Sequence, residues 1–470
     1  MGAEYLKLDN AMGPIEWVVF LVMLLGATIV GFYFGYWRRD KIEDKKAVAQ
    51  QEEGARKHFD SEALDEYFVG RAALKAFPVG MTLVGTYISA VTVLGTPAEM
   101  YLYGTQQMFV IFSIAISSLL VAYLFMPVFL NLQLDSSYEY LEMRFNRGIR
   151  TLASFLFMLD NIFFMPVTFY IPTKCFEMFT GVDYMITSAV VMLLVMVYTL
   201  LGGVKVVVYT DTWQVYVMFV SVVFAVSVAI HQSGGLMHTI TEANDGGRFI
   251  FFNMDFSLYE RYTFWSVLIG NGVYWTAFNS INQTMVQRYM SLPSINKARL
   301  ALLYFSIAMI LFELVIYFGG VAMYSYFRGC DPKQIGFVEK ADYMFPKFIL
   351  YSVSWLTGLS GFFLSGVFGA SLSSLSVIMN SLSLVLYHDI VTGFFKIQLS
   401  ERAANLCVKL SIIAFACIGL ALVPLINMLD TVFAVAIGLT AINNSTIFSM
   451  FALGMLVPFG NWKGLHCNCN

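Results

Sequence analysis

The feature that most constrains this chain is a series of apolar stretches, each about 20 residues long, separated by shorter polar segments. A helix of that length matches the hydrocarbon thickness of a bilayer. The stretches run from residues 17–36 to residues 431–458 and give about eleven spans. The composition, 58% hydrophobic and 13% charged, excludes an ordinary soluble domain. The sequence therefore predicts an all-α polytopic membrane protein.

Two of the predicted spans are poor continuous helices. The span at 76–103 contains Gly80, Gly85 and Pro97, and the span at 262–291 contains several glycines and amides. The second interrupted span falls five spans after the first. A kinked packing helix would explain either one alone. Interrupted spans at matching positions in two five-helix halves, however, are typical of an inverted-repeat transporter whose binding site lies between them.

The predicted organisation follows from these spans and from the short loops. Lys and Arg residues at 38–41, 144–150 and 288–299 mark cytoplasmic loops, so the N-terminus should be extracellular. The predicted parts are an extracellular tail and peripheral N-terminal helix at 1–37, a cytoplasmic linker at 38–75, a first five-helix repeat at 76–231, an extracellular loop at 232–261, a second five-helix repeat at 262–460 and a short C-terminal tail at 461–470.

A stripe of small and hydroxylated residues runs through the segment 369–390. On a helix, Ala370, Ser373, Ser374 and Ser376 fall near one face, because residues three and four apart share a face. Hydroxyls within hydrocarbon are unfavourable unless something uses them. They could bond across packed helices, or they could form an oxygen-lined sodium site with the free carbonyls of a broken helix.

Three acidic residues lie in or beside apolar stretches. Asp211 lies near the start of an apolar stretch, where it could be a helix cap at the membrane interface or a buried acid on a cation path. Asp160 and Glu313 lie within spans, where each could bind an ion or proton, or be neutralised or paired. No Lys or Arg is expected deep in the two broken spans. An anionic substrate would then rely on helix N-termini, amide donors and nearby sodium.

Other classes of function are disfavoured. The net charge of −3 argues against a nucleic-acid partner. The six cysteines show no zinc or redox spacing, and no P-loop or nucleophile elbow is present in the sequence. We therefore expect neither an enzyme nor a cofactor other than a coupling ion.

The chain resembles the sodium:solute symporter family, and within it the branch of monocarboxylate, multivitamin and iodide symporters. The resemblance covers most of residues 65–460. The matching runs lie at 89–104, 136–150, 201–215, 245–253, 282–291, 330–332 and 373–390. It implies a leucine-transporter-like inverted repeat of five plus five helices with one extra N-terminal helix.

The resemblance also implies site residues. The family's conserved sodium site falls on the backbone oxygens of Gly85, Ile88 and Ala370 and the hydroxyls of Ser373 and Ser374. A candidate second sodium site falls on Asp211 and Ser376. The following position, often serine in relatives, is Val377 here, so this second site has one oxygen fewer. The implied substrate residues are Tyr87, Thr92, Gln106, Trp275, Asn279 and Asn282; Asn279 stands where monocarboxylate relatives have tyrosine.

The expected function is sodium-coupled symport, across the plasma membrane by alternating access, of a small organic anion or vitamin-like solute. The solute could be a monocarboxylate, pantothenate- or biotin-like, or iodide-like. The alternatives are a solute-gated sensor or a sodium-leak protein of the same fold, or a sugar or polyol symporter. The expected partners are sodium, the solute and the lipid bilayer.

Overall fold

The structure is a computed structural model, and it describes residues 12–33, 74–132, 134, 136–257, 259–336, 338–429, 432–457 and 460. Three predicted parts lie wholly or partly outside these residues. They are residues 1–11 and 34–37 of the predicted tail and N-terminal helix, almost all of the predicted cytoplasmic linker at 38–75, and the C-terminal tail at 461–470. The described part of the chain is built from helices and contains no strand, so the predicted all-α architecture is confirmed.

Eight of the described helices are long and apolar enough to cross a bilayer, and one bent pair makes a ninth span. Two of the eleven predicted spans fall outside that count: Tyr184–Leu200 is shorter, and the second broken span is interrupted. The long helices are Pro14–Phe32, Thr105–Leu132, Arg147–Thr180, Tyr184–Gln232, Ile295–Tyr326, Leu359–Phe394, Glu401–Asn427 and Val432–Leu456.

Both predicted interruptions are present. The first broken span consists of Ala76–Tyr87 and Ala90–Tyr103, which are bent by 60° across an extended backbone at Ile88 and Ser89. The second broken span consists of Ser266–Ile281 and Gln283–Met290, separated at Asn282, whose φ of −63° and ψ of 128° are extended. An extended residue leaves helical carbonyl and amide groups without their usual partners, so each break exposes polar backbone inside the bundle.

Two predicted boundaries differ from the structure. The sequence predicts separate spans at 184–202 and 207–231, but the backbone is helical throughout Tyr184–Gln232. Gly202 and Gly203 therefore do not end the helix, since glycine costs only about 1 kcal/mol inside one. The sequence predicts a span at 348–387 that is long enough to include an outer half-helix or a tilted entry. The structure has two helices there, Met344–Val353 and the longer helix that starts at Leu359. Gly358, at a φ of 91°, allows the turn between them.

The centre of the bundle is the segment Leu359–Phe394, called here the serine-rich helix. Of its most apolar membrane-length stretch, 94% is buried within the protein. It packs along Tyr184–Gln232, Arg147–Thr180 and the peripheral helix Pro14–Phe32. Its small residues allow this close packing: a methyl group at Gly369 would lie 3.1 Å from the Gln214 carbonyl oxygen. The helix that carries the hydroxyl stripe is therefore the one most removed from lipid.

Candidate functional site

The five residues predicted to bind sodium come together at the first break. Ser373 Oγ and Ser374 Oγ each lie 3.0 Å from the Gly85 carbonyl oxygen, and Ser374 Oγ lies 3.4 Å from that of Ile88. The same two hydroxyls lie 3.1 and 3.0 Å from the Ala370 carbonyl oxygen. We call these three carbonyls and two hydroxyls the oxygen cage. All five residues are buried.

Glycine is needed at position 85 for this approach. A methyl group there would lie 2.9 Å from Val215 Cγ2 and 3.0 Å from Ser373 Oγ, which is tighter than ordinary van der Waals contact. The break supplies the other requirement, because Ile88 and Ser89 are extended and free the carbonyls of the preceding turn. Carbonyl and hydroxyl oxygens that are buried and uncharged are suitable ligands for a dehydrated alkali cation.

A second group of polar residues lies about one helical turn away from the oxygen cage. Asp211 is fully buried, and its Oδ2 accepts a 2.5 Å hydrogen bond from Thr82 Oγ1. Arg288 donates from Nε to Thr82 Oγ1 at 3.1 Å and places a terminal nitrogen 3.7 Å from Asp211 Oδ2. Ser376 Oγ lies 3.4 Å from Asp211 Oδ1. These four residues are called the Asp211 cluster. Asp211 is therefore a buried acid and not an interfacial cap.

Arg288 corrects one expectation. The sequence predicts no Lys or Arg deep in the broken spans and reads Arg288 as a cytoplasmic cation, but its side chain is only 5% exposed. Its other terminal nitrogen, Nη1, donates to the Thr284 carbonyl oxygen at 2.6 Å. Sequence reasoning also missed Thr82. The available signal was its spacing, three residues before Gly85, which places it one turn along the same helix.

A cavity with a volume of about 40 Å³ lies beside the oxygen cage. Both broken spans, the helix Arg147–Thr180, the serine-rich helix and the helix Val432–Leu456 contribute to its walls. Of the predicted substrate residues, Tyr87, Thr92 and Asn282 line it. Thr86 and Ser89 also line the cavity. The cavity therefore lies next to the break at Ile88 and Ser89, where the oxygen cage forms.

The other three predicted substrate residues do not line this cavity. Trp275 stacks on Tyr87, with ring centroids 3.9 Å apart, and so supports the wall from behind. Gln106 accepts a hydrogen bond from the Asn253 amide at 2.8 Å and thereby holds the outer loop. Asn279 is completely buried, and neither polar atom of its amide has a hydrogen-bond partner in the described structure.

The two remaining intramembrane acids lie in different places. Asp160 is 6% exposed and lines the cavity together with Asn161. Its Oδ1 accepts a long hydrogen bond, 3.4 Å, from Asn443 Nδ2. Glu313 is buried on the helix Ile295–Tyr326 and is not part of the cavity wall. Of the two, only Asp160 lines the cavity.

Two interrupted membrane helices, an uncharged oxygen cage at one of the breaks and a cavity beside it are typical of a secondary transporter. A family model described as "Sodium:solute symporter family" matches residues 67–465, and the chain belongs to that family. The leucine-transporter-like fold is confirmed by a Na⁺-coupled sialic acid symporter, with a TM-score of 0.79 at 23% identity over 95% of this chain and 87% of that one.

Two curated relatives span nearly the whole chain. "Sodium-coupled monocarboxylate transporter 1" of Mus musculus is 32% identical over 96% of this chain and 70% of its own length. A Drosophila melanogaster protein named for sodium-dependent multivitamin transport is 31% identical over 96% of this chain and 72% of its own. The protein is thus a multi-pass membrane protein for sodium-coupled solute uptake, as its sequence predicts.

Proposed function

We propose that this protein couples the entry of one sodium ion, held in the oxygen cage, to uptake of a small solute that carries a carboxylate. The observation that carries the proposal is the convergence of Ser373 and Ser374 on the Gly85 carbonyl at the edge of the cavity. An ion at that position would join the first broken span to the serine-rich helix. It would therefore stabilise one arrangement of the two repeats, as alternating access requires.

The energy supplied by one sodium ion is sufficient for accumulation. Moving one charge across a membrane potential of 100 mV provides about 2.3 kcal/mol. A tenfold concentration ratio of solute needs about 1.4 kcal/mol. One sodium per cycle therefore supports net uptake, and a second ion is not required on energetic grounds.

The cavity supports a small solute more than a large one. A buried water needs about 10–15 Å³ on the scale in which this cavity measures about 40 Å³, so the cavity suits a small solute. That size favours a monocarboxylate over a pantothenate- or biotin-like vitamin. The helix Ala90–Tyr103 begins at the cavity, and its free amides favour an anionic group there. Iodide-like, sugar and polyol substrates remain alternatives for the test.

The Asp211 cluster favours one sodium over two. A sodium ion at Asp211 and Ser376 would share the carboxylate with the guanidinium of Arg288, which lies 3.7 Å from Asp211 Oδ2. Because like charges repel strongly in a buried site, Arg288 reduces the affinity of that position for a further cation. The second sodium site stays a prediction, and the number of sodium ions per solute decides it.

The test is uptake of labelled solutes into proteoliposomes that contain the purified protein. The panel is lactate, nicotinate, pantothenate, biotin, iodide, myo-inositol and glucose, each with an inward sodium gradient and with potassium in its place. Sodium-driven accumulation of a small carboxylate supports the proposal. Sodium current without accumulation of any solute would instead identify a sensor or leak protein, and accumulation of glucose or myo-inositol a sugar or polyol symporter.

We also propose that the protein resides in the plasma membrane and that its N-terminus is extracellular, on the basis of the loop charges. The exposed Cys330 lies in a loop that this orientation places outside. It should react with a membrane-impermeant maleimide on intact cells, and Cys330→Ser should remove that labelling. Labelling of Cys330 only after permeabilisation would reverse the orientation.

A further inference from the structure

Asp160 places a carboxyl group in the wall of the cavity beside the oxygen cage. We infer that the solute carries an ammonium group, which Asp160 binds, in addition to the carboxylate of the proposed function on which this inference rests. The substrate class is then a small amino carboxylate, a zwitterion, and Asp160 is the residue that selects it. This inference deepens the proposed function because it assigns the second charged end of the same solute.

The charges around the cavity carry this inference. None of the described residues that line it is Lys, Arg or His, and Asp160 is the single carboxylic acid among them. No ion pair in the described part of the chain includes Asp160. A plain organic anion would therefore enter a buried site that already contains a carboxylate and no compensating side chain. Two like charges in such a site disfavour each other, and an ammonium group removes the conflict.

The hydrogen bonds around Asp160 point in the same direction. The bond from Asn443 is long at 3.4 Å, and the neighbouring Asn161 uses its amide nitrogen on the Phe157 carbonyl oxygen at 2.9 Å. Thr440 is buried in the same wall, and its hydroxyl interacts with the Asp160 carboxyl. An ammonium group has three N–H donors, which these acceptors would satisfy.

The two ends of the cavity then suit the two ends of the solute. One wall is the break at Tyr87 and Ser89, beside the oxygen cage and the start of the helix Ala90–Tyr103. A carboxylate is favoured there because the helix N-terminus and a nearby sodium ion both attract an anion. The other wall carries Asp160 on the helix Arg147–Thr180 and Thr440 on the helix Val432–Leu456, where an ammonium group is favoured. A solute with both groups separated by a short carbon chain contacts both walls at once.

The experiment compares solutes that differ only in the amino group: propionate with β-alanine, and butyrate with 4-aminobutyrate. Uptake into proteoliposomes is measured with an inward sodium gradient and with potassium in its place. We expect the wild-type protein to take up the amino member of each pair at least about tenfold faster at low concentration, since a buried charge-assisted pair discriminates by that order. Asp160→Asn should reduce uptake of β-alanine and 4-aminobutyrate by about tenfold. The ratio of uptake within each pair should therefore shift toward propionate and butyrate. Asp160→Glu should retain the wild-type order.

Glu313→Gln is the matched control, because it removes a buried intramembrane acid that does not line the cavity. It should leave the ratio within each solute pair unchanged. The inference is overturned if the wild-type protein prefers propionate and butyrate, or if Asp160→Asn, reconstituted at equal amount, keeps the wild-type ratio. Sodium-driven uptake of propylamine as fast as that of β-alanine would instead contradict the carboxylate of the proposed function and leave the role of Asp160 standing.

Discussion

The oxygen cage and the Asp211 cluster share two helices, Ala76–Tyr87 and the serine-rich helix, yet they differ in charge. Gly85 and Ser373 belong to the oxygen cage; Thr82 and Ser376, each three residues away, belong to the Asp211 cluster. The oxygen cage contains only carbonyl and hydroxyl oxygens. The Asp211 cluster contains a carboxylate and the guanidinium of Arg288, which is covalently part of the chain.

The oxygen cage therefore suits a mobile cation, whereas the Asp211 cluster already contains a fixed cation, the guanidinium of Arg288. Uncharged oxygens in a buried site gain from a cation and lose little when it leaves, which suits an ion that must be released in every cycle. A buried carboxylate without a partner is costly, so a permanent partner stabilises the fold throughout the cycle. Substitutions in the two places should therefore have different consequences, for sodium affinity in one and for folding in the other.

The largest expected effect comes from Arg288→Gln. It leaves Asp211 buried without its cation, which costs about 3–5 kcal/mol when one partner of a buried pair is removed. Surface expression and the thermal stability of the solubilised protein should both fall sharply. The double variant Asp211→Asn/Arg288→Gln should recover much of the loss, and Lys297→Gln, which removes an exposed cation nearby, should have no such effect. If the double variant is as unstable as the single one, the pairing does not stabilise the fold.

Ser373→Ala and Ser374→Ala should have an intermediate effect, confined to sodium. Each substitution removes one oxygen ligand, which water cannot replace in a dry site. The half-saturating sodium concentration should therefore rise several-fold, which corresponds to a loss of about 1 kcal/mol of binding free energy. A role in packing alone predicts a loss of only about 0.6 kcal/mol per interhelical hydrogen bond and no change in sodium affinity. The measurement is sodium-activated uptake at matched surface expression. Unchanged half-saturation in both variants would leave the stripe as a packing surface.

Ser376→Ala should have the smallest effect. The hydroxyl lies 3.4 Å from Asp211 Oδ1, too long for a strong hydrogen bond, and it also bonds the Ser373 carbonyl oxygen at 2.9 Å. We expect a change in half-saturating sodium of less than about twofold, because the contact contributes little. The same titration measures it. A shift as large as that of Ser373→Ala would mean that sodium also occupies the Asp211 cluster.

The five residues of the oxygen cage were implied by the family resemblance, and the contacts that bring them together fit features that are local on each helix. Helical spacing brings Ser373 and Ser374 onto one face, and the glycines indicate that the facing span is interrupted. Pro97 does not mark the break, because it lies inside the helix Ala90–Tyr103. The position of Arg288 could not be predicted in this way. Loop charges report sidedness on average, but the short helix Gln283–Met290 is buried throughout, so its arginine points into the bundle.

Only some of the predicted substrate residues line the cavity. Tyr87, Thr92 and Asn282 flank the two breaks and reach the cavity, as expected from their positions. Trp275 and Gln106 lie behind the wall and under the outer loop, because their side chains meet Tyr87 and Asn253. Spacing along a helix gives the face on which a side chain lies, whereas only tertiary packing decides what it contacts.

The most direct test of the account is the ratio of labelled sodium to labelled solute that enters proteoliposomes in the same interval. The oxygen cage as the one sodium site predicts a ratio of one, with a Hill slope of one for sodium. Ser373→Ala should reach the same ratio at higher sodium concentration. A ratio of two would show that a second sodium binds despite Arg288, and sodium entry that does not depend on the solute would contradict coupled uptake itself.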